Sequence, residues 1–261
     1  MTFELAYAGV VVTGAGHGIG AALADRFAAL GARVVVNDLD VDAANDVAGR
    51  IGGFAVPGDA ASPSGAEALV AAAKQHLGAI DLFCANAGVG TGGGPDAPEG
   101  DWDLAWQVNV MAHVRAARAL LPDWLERRQG RFLATVSAAG LLTMLGSAPY
   151  SVTKHGALAF AEWMSITYRD RGIITQALCP QGVRTDMLDA SGPQGKAILE
   201  SSAISVEEVA DAVVEGLQGD KFLILPHPEV ATYYAHRGTD PDRWAAQMAK
   251  LQSSVWGAAG A

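Results

Sequence analysis

Tyr150 and Lys154 are the two residues whose types and spacing best suit proton-transfer chemistry. They are the first and last residues of the run Tyr-Ser-Val-Thr-Lys, and residues four apart on a helix share one face. An ammonium about 5 Å from a phenol, at an effective dielectric near 20, favours the phenolate by roughly 3 kcal/mol, which lowers a tyrosine pKa of about 10 by about two. Tyr150 could then act as a general acid and base near neutral pH. Alone, this spacing is also common on amphipathic surfaces.

Ser137 adds a hydroxyl to this pair. It follows the apolar run Phe-Leu-Ala-Thr-Val at residues 132–136. A hydroxyl at the end of a strand could hydrogen-bond a substrate oxygen and stabilise a developing alkoxide. Without Tyr150 downstream, a role in capping or turning the chain would be the better interpretation.

A glycine-rich turn follows the first apolar run of the chain. Residues 13–20 read Thr-Gly-Ala-Gly-His-Gly-Ile-Gly. Between a strand and a helix, such a turn lets backbone N–H groups and the helix dipole meet a pyrophosphate. Side chains at Gly14, Gly18 or Gly20 would hold the phosphates away, so we expect a dinucleotide to bind here.

Asp38 ends the second apolar run, where an acidic residue can accept hydrogen bonds from the adenosine ribose. A 2′-phosphate about 4 Å away would cost roughly 4 kcal/mol per unit charge pair at an effective dielectric near 20. Asp38 therefore favours NAD over NADP. The alternative role is a helix N-cap, which Asp40 or Asp42 could also provide.

Together and in this order, these features resemble the short-chain dehydrogenase/reductase family over about residues 10–225. The resemblance implies a catalytic set of Asn109, Ser137, Tyr150 and Lys154. The cofactor contacts that it implies are Gly14, Gly16, His17, Gly18, Ile19, Gly20, Asp38, Asp59, Asn86, Ala87, Gly88, Tyr150, Lys154, Val183 and Thr185. Family members that prefer NADP often carry Arg or Lys where His17 or Leu39 stands here.

The resemblance also implies individual roles. Lys154 would bind the nicotinamide ribose, and Asn109 would hold a water that links Lys154 to solvent. Asp59 would contact the adenine amino group, although an aspartate that only shapes a turn is a serious alternative. The segment at residues 86–88 would line the adenosine side. Val183 and Thr185 would hold the nicotinamide carboxamide.

Two positions depart from the family pattern. Ala85 stands where a second asparagine usually precedes Asn86, which weakens a supporting hydrogen bond. Gln181 replaces a glycine in Pro-Gln-Gly-Val-Arg-Thr at residues 180–185, and places a long amide side chain near the expected nicotinamide and substrate.

Seven apolar runs alternate with helical patterns, which is typical of β-α units that build a parallel sheet. Several runs lack polar alternation, as strands do when both sheet faces are covered. The runs lie at residues 9–13, 33–38, 53–56, 81–85, 130–137, 173–179 and 222–225. We expect an α/β, Rossmann-type, doubly wound fold with seven parallel strands flanked by helices, in a single domain over residues 1–261.

Three segments outside this pattern are of functional interest. Residues 89–100 and 180–203 look irregular, and in the family the second is a lid over the substrate. A plain surface loop is the alternative for both, and for residues 90–94 it is the better interpretation. The C-terminal extension at residues 226–261 contains a helix that we expect Asp242 to cap and that ends near Gln252. This extension could close the substrate pocket or serve only as a packing arm.

Composition excludes several classes of protein. A net charge of −10 over 261 residues argues against nucleic-acid partners, which need a basic face. The histidines lack metal-ligand spacing, and Cys84 and Cys179 end apolar runs, as buried free thiols do. The N-terminus lacks the pattern of a signal peptide, and no apolar stretch has the length of a membrane span. We expect a cytoplasmic protein with no membrane partner.

The leading hypothesis is an NAD(H)-dependent oxidoreductase that interconverts a secondary alcohol and a ketone. An epimerase or dehydratase on the same scaffold is the first alternative, and a non-catalytic dinucleotide-binding protein is the second. Five apolar side chains flank the expected pocket and predict a hydrophobic or ring-bearing substrate: Leu141, Leu142, Met144, Met187 and Leu188. Core packing is the alternative for all five, and for Leu141 and Leu142 it is nearly as good an interpretation. In the family, two long helices, here residues 102–126 and 150–171, pack a homotetramer, which we also expect.

Overall fold

Seven parallel strands form one sheet in the computed structural model, which describes residues 3–257. The strands are β1 Gly9–Thr13, β2 Arg33–Asn37, β3 Phe54–Ala55, β4 Leu82–Ala85, β5 Gly130–Thr135, β6 Ile173–Leu178 and β7 Leu223–Ile224. Their order is β3-β2-β1-β4-β5-β6-β7. This order reverses direction between β1 and β4, where doubly wound sheets bind ligands at the carboxyl ends of the strands. The predicted fold is confirmed, and the predicted runs overshoot several strands by one or two residues.

Helices cover both faces of this sheet. They are α1 Gly18–Ala29, α2 Val41–Ile51, α3 Pro63–Leu77, α4 Glu99–Trp106, α5 Ala112–Arg127, α6 Ala139–Leu142, α7 Ala148–Tyr168, α8 Asp186–Asp189, α9 Gly192–Leu199, α10 Val206–Leu217, α11 Glu229–Thr239 and α12 Pro241–Trp256. Within β1, Val11 packs with the core that includes α3, α5 and α7, while Val10 and Val12 pack with α1, α2 and α10. Successive strand side chains point to opposite faces, so the apolar run serves two cores.

A π-helical turn, Gln107–Met111, joins α4 to α5. It widens the helix at Asn109, one of the predicted catalytic residues. Such turns are rare and often lie at functional sites.

The predicted lid at residues 180–203 is not irregular. It contains α8, α9 and a short 3-10 helix, Glu200–Ser202. The terminal helix also differs from the prediction, because Asp240 caps α12 by accepting the Arg243 N–H at 2.9 Å. With Pro241 at its first position, α12 starts before Asp242 and continues to Trp256. The predicted extension reaches residue 261, and its last four residues lie outside the described part.

None of the helices described within residues 3–257 has the length and apolar character needed to cross a bilayer.

Candidate active site

The ends of β1 and β4 are joined by hydrogen bonds around Thr13. Its hydroxyl accepts the N–H groups of Asn86 and Ala87, each at 3.0 Å, and donates to the Cys84 carbonyl at 3.3 Å. The Asn86 amide in turn donates to the carbonyls of Thr13 at 3.0 Å and Gly14 at 3.1 Å. The side chain of Asn86 therefore fixes the glycine-rich turn against the segment after β4.

The glycines of this turn are required chiefly by the protein's own packing, which differs from the predicted reason. Gly14 has φ +60°, and a Cβ there would lie 2.8 Å from the Ala87 Cα. A Cβ on Gly20 would lie 2.1 Å from the Gly14 carbonyl oxygen. Gly18, with φ +53°, is less crowded, because its nearest neighbour is the Thr185 methyl group at 3.3 Å. The turn is thus tightly packed, and Gly18 meets the start of α8.

The N-terminus of α1 has free donors. His17 occupies the N-cap without a side-chain cap bond, and its ring lies 3.5 Å from the Asp40 carboxylate. Among the described residues, the first backbone N–H of this helix with a protein acceptor belongs to Ala21. The preceding donors without one are those of Gly18, Ile19 and Gly20. Unpaired N–H groups and the helix dipole favour an anion, so this turn fits a pyrophosphate.

Asp38 lies beside the turn, immediately after β2. Its carboxylate accepts the Gly16 N–H at 2.8 Å and the Asp40 N–H at 3.0 Å. Asp40 itself caps α2, so the alternative role of Asp38 as the helix cap is wrong. A carboxylate has about four acceptor sites, and Asp38 therefore retains capacity for a ligand.

Asp59 shapes a turn. It is exposed, and its carboxylate accepts the Ala61 N–H at 2.9 Å. This is the alternative that the sequence left open, and contact of Asp59 with adenine stays a prediction.

Ser137 follows β5 and has a backbone φ of +152°. Residues with a side chain seldom adopt this conformation, and those that do are concentrated at functional sites. Its hydroxyl oxygen accepts the Ala139 N–H at 3.1 Å. The same hydroxyl lies beside the phenol of Tyr150 and favours its ionised form, which by itself lowers the pKa of that phenol. The structure therefore brings together Ser137 and Tyr150, as predicted.

Lys154 lies one turn after Tyr150 in α7. Its ammonium is 5.6 Å from the centroid of the Tyr150 ring and donates to the Thr135 carbonyl at 3.0 Å. The side chain is 3% exposed, and this burial lowers the pKa of Lys154 to about 8. Lys154 is therefore charged below about pH 8.

The expected decrease in the pKa of Tyr150 is wrong for the chain without nucleotide. Burial raises that pKa, and this effect exceeds the opposing influence of the nearby Ser137 hydroxyl. Sequence spacing gives the charge of a neighbour, but it does not give the cost of burying the phenolate.

Asn109 uses its side-chain amide to hold the backbone after β4. Its oxygen accepts the Val89 N–H at 2.9 Å, and its nitrogen donates to the Val89 carbonyl at 3.0 Å and to Thr153 at 3.1 Å. A Cβ on Gly88 would lie 3.3 Å from the Asn109 oxygen and 3.4 Å from the Lys154 ammonium. The glycine therefore leaves space between these two groups.

Hydrogen bonds hold the base of the lid together. Val183 pairs with Ile204 in an isolated parallel bridge, and the Thr185 hydroxyl donates to the Val183 carbonyl at 3.2 Å. A Cβ on Gly182 would lie 2.5 Å from the Leu199 carbonyl oxygen. The close approach thus requires glycine at 182, one position after Gln181.

His227 lies in no recognisable binding motif, yet it connects the two ends of the lid. Its Nδ1 accepts the Gln181 N–H at 3.2 Å, and its Nε2 donates to the Ser202 carbonyl at 3.1 Å. The side chain is 3% exposed. The only local sequence signal is its place in Pro-His-Pro directly after the last strand.

His155 has a structural role, and one of its partners is a second residue that the sequence did not single out. Its Nδ1 donates to the Ser151 carbonyl at 2.9 Å, and its Nε2 accepts from Arg237 at 2.9 Å. Arg237 also donates to the Leu141 carbonyl. The guanidinium therefore ties α11 to α6 and to α7, the helix that carries Tyr150 and Lys154.

Two predicted pocket residues belong to the core. Leu141 and Leu142 are buried among the side chains of one sheet face, so core packing is their correct interpretation. Met187 is 46% exposed, whereas Met144 and Leu188 are half-buried. The apolar surface available to a ligand therefore comes from the loop before α7 and from the lid.

Comparison with known proteins supplies independent evidence. The family model described as short chain dehydrogenase matches residues 8–196. The chain is 37% identical over 229 residues to 1-deoxy-11-beta-hydroxypentalenate dehydrogenase from Streptomyces exfoliatus, covering 84% of this chain and 82% of that protein. It is 30% identical over 229 residues to epidermal retinol dehydrogenase 2 from Mus musculus, covering 83% and 73%.

Solved structures agree with these relatives. A short chain dehydrogenase/reductase from Burkholderia phymatum in complex with NAD superposes with a TM-score of 0.86 at 27% identity, covering 92% of this chain and 96% of that chain. A 7 alpha-hydroxysteroid dehydrogenase complexed with NADH and 7-oxo glycochenodeoxycholic acid gives a TM-score of 0.76 at 25% identity, covering 85% and 94%.

Proposed function

The chain belongs to the short-chain dehydrogenase/reductase family of oxidoreductases, and from that membership we propose that it interconverts a secondary alcohol and a ketone with NAD(H). The observation that carries this proposal is the grouping of the Tyr150 phenol with the Ser137 hydroxyl and the Lys154 ammonium. Relatives named as dehydrogenases of a hydroxypentalenate and of a retinol support the reaction class. The NAD and NADH complexes of similar structures support the cofactor.

The cofactor would be held by the turn between β1 and α1. The free N–H groups of Gly18, Ile19 and Gly20 would bind its pyrophosphate, and Asp38 would accept from the adenosine ribose. The other contacts that we propose are Gly14, Gly16, His17, Asp59, Asn86, Ala87, Gly88, Tyr150, Lys154, Val183 and Thr185. When bound, NAD⁺ supplies a hydride acceptor and a positive charge.

The chain's own residues would move the proton. Ser137 would hydrogen-bond the alcohol oxygen and orient it toward Tyr150. The Tyr150 phenolate would accept the hydroxyl proton during oxidation, and the phenol would return it during reduction. Lys154, charged below about pH 8, would stabilise the phenolate.

Asn109 would complete the relay to solvent. Its side-chain nitrogen is fully engaged by Val89 and Thr153, but its oxygen retains one acceptor site. That oxygen borders the same space beside Gly88 as the Lys154 ammonium. We propose that it holds a water there, through which Lys154 exchanges protons.

The substrate that we propose is a small hydrophobic or ring-bearing alcohol or ketone. The direct test is to add NAD⁺ and a panel of secondary alcohols, steroids included, and to follow the near-ultraviolet absorption of NADH. We expect NADH to form with at least one apolar alcohol. Activity with NADP⁺ alone, or no nucleotide reduction with any alcohol, would contradict the proposal.

Asp38→Asn should relax discrimination against NADP. Asparagine removes the negative charge but keeps an acceptor for the Gly16 N–H. At about 4 Å and an effective dielectric near 20, one charge pair costs roughly 4 kcal/mol, so we expect the NAD/NADP ratio of kcat/KM to fall by at least about tenfold. Asp38→Ala should weaken NAD binding and also lower Tm, because it frees two N–H groups. An unchanged ratio in both variants would assign cofactor choice to another residue.

We propose a homotetramer with α4, α5 and α7 in one two-fold interface. Apolar side chains lie exposed on α4 and α7: Leu104, Trp106, Val152, Trp163 and Ile166. An exposed apolar patch of this kind marks an interaction surface. A cytoplasmic location without nucleic-acid or membrane partners stays a prediction from the composition.

Ile166→Glu should reduce the mass measured by light scattering at micromolar concentration. Ile166 is 77% exposed, so the change costs little within one subunit but would bury a charge between two. Val41→Glu on α2 is the matched control, since Val41 is also exposed, and we expect it to retain the tetramer mass. A wild-type monomer would overturn the proposed assembly.

A further inference from the structure

Trp256, the last residue of α12, packs against the loop that leads into the catalytic helix. A Cβ added to Gly146 would lie 2.6 Å from the Trp256 ring atom Cζ2. Gly146 has φ +71°, a conformation that glycine adopts without strain. The loop therefore accepts the indole at a position where another residue would displace it.

The Gly146 loop is joined to the loop after β4. The Gly93 N–H donates to the Gly146 carbonyl at 3.1 Å, and the Ala148 N–H donates to the Gly93 carbonyl at 2.8 Å. Tyr150 follows Gly146 by four residues, within the first turn of α7. Trp256 thus packs against a pair of joined loops, one of which leads directly into the first turn of α7 and Tyr150.

A second apolar side chain faces the other loop. A Cβ added to Gly90 would lie 3.4 Å from Cγ and 3.6 Å from Sδ of Met187, a residue of α8 in the lid. The lid and the C-terminal helix are also in contact, through α9 and α12. Two joined glycine-bearing loops, one of which leads into α7, are therefore each covered by a large apolar residue from the last third of the chain.

We propose that Trp256 and Met187 are specificity-determining residues, which form two apolar walls at the mouth of the substrate site and select ring-bearing alcohols over short ones. This inference rests on the proposed function. Neither side chain is enclosed by the core, since Trp256 is half-buried and Met187 is 46% exposed. An indole offers a flat apolar face, and a flexible thioether adapts to differently shaped substrates.

The test compares Trp256→Ala with Trp244→Ala. Both tryptophans belong to α12, but Trp244 packs against the main core. For Trp256→Ala we expect the ratio of kcat/KM for a ring-bearing alcohol to that for a short alcohol to fall by about tenfold, mainly through KM. KM for NAD⁺ should not change. Trp244→Ala should lower Tm and leave the substrate ratio unchanged.

A measurement of ketone binding tests this inference separately from the proposed reaction. A ring-bearing ketone is titrated calorimetrically into the NADH complex of the wild type, Trp256→Ala and the milder Trp256→Phe. Weaker binding of the ketone to Trp256→Ala supports the role of Trp256 as an apolar wall of the substrate site. That conclusion holds even if no alcohol is oxidised, in which case only the proposed reaction fails. An unchanged Kd, an unchanged substrate ratio, or no binding of any ring-bearing ketone to the wild type overturns the inference.

Discussion

Tyr150→Phe should lower kcat for alcohol oxidation by about 10²–10⁴-fold, the usual contribution of a general acid or base. Phenylalanine keeps the ring in α7 and removes only the hydroxyl that would exchange the substrate proton. NAD binding should therefore stay within about twofold of the wild-type value, because the other proposed cofactor contacts are untouched. The measurements are steady-state oxidation rates and fluorescence titration with NADH.

Tyr168→Phe provides the matched control. Tyr168 is the last residue of the same helix, and its ring meets Trp163 edge to face at 5.8 Å between centroids. It also loses one phenol hydroxyl, but far from the grouped residues, so its kcat should not change. Near wild-type activity in Tyr150→Phe would remove Tyr150 from the mechanism.

Lys154→Met should lower oxidation most strongly at neutral pH. Methionine keeps an apolar stem of similar length and removes the ammonium that faces the Tyr150 ring at 5.6 Å. Because the pKa of Lys154 is lowered to about 8, its charge is present below that pH and is lost as the pH rises through it. The deficit of the variant should accordingly be largest below about pH 8 and should shrink above it.

The pH dependence of kcat/KM in the wild type should reflect the ionisation of Tyr150 and Lys154. Burial raises the pKa of Tyr150, so the phenolate fraction, and with it kcat/KM for oxidation, should rise about tenfold per pH unit below that pKa. Ketone reduction uses the phenol and should not rise with pH. A Lys154→Met deficit that is equal at every pH would show that Lys154 only holds the cofactor or the helix.

The sequence predicted those features of the fold and the site that depend only on local structure. The strand, turn and helix around Gly14 and Gly20, and the one-turn spacing of Tyr150 and Lys154, follow from periodicity and glycine placement. The sequence left the cap of α2 open among Asp38, Asp40 and Asp42, because only the folded chain shows that Asp40 caps the helix while Asp38 faces the Gly16 N–H.

Long-range packing explains what the sequence did not reveal. Helix α9 begins Gly-Pro-Gln-Gly, a poor helix-forming sequence, and it contacts α12 from the far end of the chain. His227 pairs with residues 25 and 46 positions away, so no local pattern could assign its role. The raised pKa of Tyr150 similarly depends on burial, which spacing along one helix does not reveal.

Deuterium labelling tests directly whether hydride passes from the alcohol to NAD⁺. A secondary alcohol that the enzyme accepts is labelled with deuterium at the carbinol carbon and incubated with NAD⁺, and the recovered nucleotide is analysed by mass spectrometry. We predict one deuterium in each NADH formed, together with one ketone per NADH. An altered or dehydrated product with no net NADH would contradict this result, and would instead indicate an epimerase or a dehydratase.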